Sequence, residues 1–147
     1  LTLPAKKSGF VPNVLDVSPK ETTQPYAIRY EGYLDVPQDG VYTFHAPSEW
    51  MLPDNESGYD LRVFVNGREW YPNTRWHAHG NWSVALKKGK HAFKVFYADL
   101  RRTPHRTEAQ WGFPKEGFVW KGVAPELKIS GPGLEKQPIP ASMLSTL

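Results

Sequence analysis

"YAIRYEGYLDVPQDGVYTFHA", residues 26–46, decides the fold class. From Tyr26 to Val36 the chain alternates. Ile28, Tyr30, Gly32, Leu34 and Val36 share one face, and Arg29, Glu31, Tyr33 and Asp35 take the other. Period two with one polar face is the mark of a half-buried strand. Asp39-Gly40 reads as a tight hairpin turn, and Val41–Ala46 as the partner strand with Tyr42 and Phe44 pointing inward. That strand then runs into "PSEWMLPDNESG", residues 47–58, which sets Trp50 and Met51 in a stretch dense with Pro, Asp, Asn and Gly.

The same period continues outward. Leu61, Val63 and Val65 alternate with Arg62 and Phe64, and Asn66-Gly67 closes that strand as a strong turn dipeptide. Trp82, Val84 and Leu86 mark a further strand. "KKGK" then turns into His91–Tyr97, with Phe93, Val95 and Tyr97 on one side, and Leu127 and Ile129 alternate before "GPG". No segment carries a helical stripe. Short strands with turn signals between them predict an all-β antiparallel sandwich or barrel. The expected core is Ile28, Tyr30, Leu34, Tyr42, Phe44, Val63, Val65, Val84, Phe93 and Val95. Two connections are long, Pro47 to Tyr59 and about Asp99 to Gly117, and long loops in a compact domain are commonly functional.

Composition bounds the function classes. At 147 residues the chain fits one domain, 1–147, with a core over about 26–144 and residues 1–25 as an N-terminal strand or linker. A formal charge of +3, with no concentrated basic face or recognised motif, does not point to nucleic acid. There is no cysteine, which excludes disulfide and thiol chemistry. No apolar run approaches membrane-spanning length, so membrane insertion is not expected. "LTLPAKKSGF" at the start has no hydrophobic signal segment. Both ends read as cuts through a longer chain.

Four stretches together resemble a PA14 domain: "YAIRYEGYLDVPQDGVYTFHAPS", "LRVFVNGREW", "VALKKGKHAFKVFYADL" and "PELKISGPGLEKQPIPASML". They match, in order, that family's "GYL" strand and "dGxYtF" hairpin, its "xvxidG" strand, its "L..GkHpixvxY" hairpin and its "IPaSxL"-like tail. The resemblance covers roughly Tyr26 to Leu144. It implies a PA14-like β-sandwich with long end loops, secreted, cell-surface or periplasmic, attached to glycosidases, other polysaccharide-acting enzymes, adhesins or toxins. In several members paired aspartates after the "YtF" strand hold calcium, which coordinates sugar hydroxyls. This sequence departs there, with "SEWMLPDNESGYD" where "SDDGS" is expected. Calcium takes six to eight hard oxygens. Glu49, Asp54, Asn55 and Asp60 can supply some, but the paired-Asp motif is missing, and no cofactor is expected.

Candidate binding residues fall in three stretches. In the first, Trp50, with Asp54 and Asn55 beside it, offers a ring for stacking on a sugar; its alternative is a cap over the sandwich end. In "REWYPNTRWHAHGNW", residues 68–82, Trp70, Arg75, Trp76, His77 and His79 mix flat rings with hydrogen-bond donors, as a polyol site requires. Trp70 could equally close the hairpin after Asn66-Gly67, and Trp82 belongs to the core by its alternation. His77 and His79 lack an obvious third ligand, so no metal site is assigned. Arg101, Arg102 and His105, in "ADLRRTPHRTEAQW", form a secondary wall suited to carboxylate or sulfate.

Catalytic motifs are missing: there is no G-x-S-x-G, H-E-x-x-H or phosphate-cradling glycine loop. The sequence is therefore read as a non-catalytic carbohydrate-binding module of a larger extracellular enzyme. Its expected partners are a glycan or polysaccharide and the parent catalytic domain. The alternative is a structural spacer that packs on that catalytic domain and shapes its substrate entrance.

Overall fold

The computed structural model describes residues 4–5, 7–15, 26–46, 59–70, 80–99 and 127–147, with the backbone alone at 59, 60 and 99. The described chain is nearly all β. It comprises β1 (Tyr26–Val36), β2 (Gly40–His45), β3 (Tyr59–Val65), β4 (Arg68–Trp70), β5 (Asn81–Leu86), β6 (Gly89–Asp99), β7 (Lys128–Gly131), β8 (Leu134–Pro138) and β9 (Leu144–Ser145). One 3-10 turn, Ala141–Met143, precedes β9 and buries Met143. The strands form a five-stranded sheet, β4-β3-β6-β1-β9, and a four-stranded sheet, β5-β2-β7-β8. Every pairing is antiparallel.

The alternation read from the sequence fixes which side chains meet between the sheets. Leu34, Val36, Leu61, Val63, Val65, Phe93 and Val95 from one sheet pack with Tyr42, Phe44, Leu86 and Ile129 from the other. Phe44 and Phe93 stack across this interior with ring centroids 5.9 Å apart. Eight of the ten expected core residues are buried, while Ile28 and Val84 pack against the cluster partly buried. The two layers are thus a sandwich, since each sheet buries one face against the other.

The first turn departs from expectation. β1 and β2 do not pair: β1 lies between β6 and β9, and β2 between β5 and β7. Pro37-Gln38-Asp39 is therefore an arch that carries the chain from one sheet to the other, and Lys87-Lys88 makes a second arch from β5 to β6. Alternation tells which face is buried but not which strand is the neighbour, so hairpin and arch look alike in sequence. The arches lie side by side, since Val36 pairs with Gly89 and Gly40 with Leu86. Asp39 ties them: its Oδ1 accepts the Lys88 backbone N–H at 2.7 Å. The Tyr42 hydroxyl donates to the Gln38 carbonyl at 2.9 Å. Gly40 is needed here, because a Cβ would run into the ring of Pro132.

The second expected turn is a true hairpin. Asn66 and Gly67 join β3 to β4 with φ of 50° and 78°, the positive pair that a type I′ turn demands.

Candidate functional site

Strand direction gathers one end of the sandwich. The arches occupy the other end. At this end stand the C-terminal residues of β2 and β6 and the N-terminal residues of β1, β3, β5 and β7. Asp99 pairs with both Tyr26 and Tyr59, and His45 pairs with both Asn81 and Lys128. Beyond β2 and β5, the Ala46 N–H donates to the Gly80 carbonyl at 2.7 Å. Segments 47–58 and 100–126 therefore each start on a strand of one sheet and finish on a strand of the other at this end, and 71–79 rejoins the fold there. Trp70, which precedes 71–79, lies further in, opposite Val63.

The base of this end is aromatic. Phe93, Phe44, Trp82 and Trp70 form a continuous series of rings. Centroids are 5.9 Å apart for Phe93–Phe44, 5.7 Å for Phe44–Trp82 and 5.9 Å for Trp82–Trp70, with interplanar angles of 17°, 27° and 22°. The series leaves the five-stranded sheet, crosses to the four-stranded sheet and returns. Trp70 and Trp82, which flank segment 71–79, are thus stacked on each other.

Outside this base, the four-stranded sheet presents a polar row that sequence reading did not single out. His45 Nδ1 lies 2.9 Å from Asn81 Oδ1, so Nδ1–H donates to that carbonyl oxygen. Its Nε2 lies 2.8 Å from Ser130 Oγ, and Thr43 Oγ1 lies 2.8 Å from Ser83 Oγ. The only available signal was position, since all five alternate with inward residues. These groups satisfy one another, which holds the ends of β2, β5 and β7 in fixed register.

Of the residues expected to bind, Trp70 alone has a described side chain. It is 9% exposed and lies in the core, the hairpin-closing placement. Trp50, Asp54 and Asn55, then Arg75, Trp76, His77 and His79, and finally Arg101, Arg102 and His105, lie outside the described residues. So do Glu49 and the greater part of the Asp99-to-Gly117 connection. Among the described residues, no three His, Cys, Asp or Glu side chains assemble as a metal-ligand set.

No protein-family model matches the chain, and no curated protein matches it significantly. Among solved structures, it is similar to an anti-sigma factor domain-containing protein from Clostridium clariflavum. The TM-score is 0.50 and the identity 18%, over 82% of this chain and 33% of that one. The chain spans about a third of that protein's length, and a likeness at this identity shows the fold alone.

Proposed function

We propose that this chain is a PA14-like, non-catalytic carbohydrate-binding module of a larger extracellular polysaccharide-acting enzyme, binding glycan at the end of its sandwich opposite the arches. The observation that carries the proposal is the attachment at that end of both flanks of segments 47–58 and 100–126 and of one flank of segment 71–79. Between them they hold Trp50, Trp76, His77, His79, Arg101 and Arg102, the residue types that stack on and hydrogen-bond to sugars. Hydrogen-bonded strand ends flanking binding segments favour affinity, because less ordering is required when the ligand arrives.

The spacer reading draws on a different observation. Trp70, the one expected binding residue with a described side chain, is occupied in the core rather than offered to a ligand. A glycan array probed with the 147-residue chain, with and without calcium, separates the two. Retention on a defined class of glycan supports the binding module. Absence of retention on every class leaves the spacer as the better account.

A further inference from the structure

The outer face of the five-stranded sheet carries two phenylalanines where charged residues dominate. Phe64 on β3 and Phe96 on β6 alternate with the buried Val63, Val65, Val95 and Tyr97, so both rings project away from the core. Their centroids lie 5.8 Å apart at 73°, an edge-to-face pair, and the two residues are only partly buried. Beside them Ala92 and Gly67 contribute little bulk, and a depression of about 460 Å³ opens there, within the size range of small-ligand sites.

One wall of this depression is polar. Register places Phe64, Lys94 and Glu31 in a single row across β3, β6 and β1. Lys94 Nζ meets Glu31 Oε1 at 2.9 Å, and Arg29 Nε lies 3.4 Å from Glu31 Oε2. An ammonium has three N–H groups and a carboxylate about four lone-pair positions. This wall therefore has hydrogen-bonding capacity beyond those contacts. Lys94 and Glu31 are the charged residues that line the depression, and Arg29, outside that lining, shares the same carboxylate. Apolar ring surface facing a paired donor and acceptor suits a polyhydroxylated ring, whose C–H face lies on the aromatics while its hydroxyls reach the ion pair.

We propose that Phe64, Phe96, Glu31 and Lys94 form a second saccharide site on the sheet face, holding about one or two sugar units. The proposal rests on the glycan-binding reading of the module and adds a separate location. Two sites on one rigid module engage a long polysaccharide together, so the polymer is held more tightly than a short oligosaccharide.

The test is a two-dimensional NMR titration of the 147-residue chain with cellohexaose, xylohexaose and mannohexaose in turn. Tryptophan indole N–H signals report the end opposite the arches, and Ala92 and Lys94 amides report the sheet face. Saturable shifts at Ala92 and Lys94 with at least one oligosaccharide are expected. Phe64→Ala should weaken them about tenfold, the loss of one anchoring contact. Lys94→Met, which leaves the ring pair intact, gives a second test if Phe64→Ala fails to fold, and should weaken them as well. Sheet-face shifts without any indole response would uphold this site and remove the strand-end reading. Indole shifts with a silent sheet face would overturn this site and leave the strand-end reading standing. A silent titration at both places would overturn both, and so, for the sheet face, would shifts that neither substitution weakens.

Discussion

Trp70 and Trp82 stack face to face across the sandwich interior, their centroids 5.9 Å apart and their planes at 22°. One belongs to the five-stranded sheet and the other to the four-stranded sheet, and residues 71–81 separate them in sequence. The pair thus fastens both flanks of a proposed binding segment to the core. Trp70→Ala should cost about 3–5 kcal/mol of stability, as for a large buried aromatic. Trp82→Ala should cost somewhat less, because Trp82 is only partly buried. The double variant should fall short of the sum, since each ring is the other's partner. Urea denaturation of the three variants measures this, and strict additivity would show that the stack carries no shared energy.

How much of this was legible follows from what alternation encodes. It assigned Phe44, Leu34 and Val95 to the interior, because a period of two sorts side chains by face whatever the strand order. It could not assign partners, and so Asp39-Gly40, which has the composition of a hairpin turn, serves as part of an arch. β4 and β9, with three and two residues, are too short to show a period. β8, "LEKQP", is largely exposed at a sheet edge and has no apolar alternation to read. Trp70 gave an ambiguous signal because a tryptophan at a strand end suits either a ligand or a core. The Trp82 ring across the interior decided its place.

Asp39 supplies a sharper test of the arches. Its carboxylate accepts the Lys88 N–H at 2.7 Å, and the Lys87 ammonium approaches at 3.4 Å. The backbone bond is the larger of the two effects, since exposed ion pairs contribute little. Asp39→Ala should cost about 1 kcal/mol. Asp39→Asn should recover most of that by keeping an acceptor, and Lys87→Ala should change stability by less than about 0.5 kcal/mol. If Lys87→Ala matched Asp39→Ala, the ion pair rather than the N–H bond would join the arches.

Acid should loosen the outer face of the five-stranded sheet. The hydrogen bond from Lys94, aided by the charges of Lys94 and Arg29 and opposed by burial, holds the Glu31 carboxyl below the usual carboxylate range. A depressed folded-state value means that Glu31 contributes stability above its unfolded value. That contribution fades as pH falls through the lowered folded value. The side chain is about a third exposed, so screening keeps the contribution near 0.2–1 kcal/mol. Glu31→Gln should flatten this part of the acid limb, and added salt should shrink the difference between variant and parent. Thermal denaturation scanned from neutral pH to below the ordinary carboxylate value is the measurement. An unchanged acid limb in Glu31→Gln would exclude the linkage.

The proposed glycan end is tested by aromatics that flank no core contact in the sequence pattern. Trp50 lies in segment 47–58 and Trp76 in segment 71–79, and the Ala46 N–H bond to the Gly80 carbonyl joins the flanks of these two segments. If their rings stack on sugar, Trp50→Ala and Trp76→Ala should each weaken glycan binding by about 1–3 kcal/mol, as anchoring aromatics do at other interfaces. Neither should shift the urea midpoint as Trp70→Ala does. Calcium should leave the affinity unchanged, because Glu49-Trp50 stands where the paired aspartates of calcium-dependent relatives are expected. Calorimetric titration of each variant with the glycan found on the array, in calcium and in chelator, distinguishes the outcomes. Wild-type affinity in both variants would remove this end of the sandwich as the binding surface. Loss of affinity together with loss of stability would instead place these rings in the core beside Trp70. A strong gain with calcium would assign the carboxylates of this end a metal-binding role that the sequence pattern argues against.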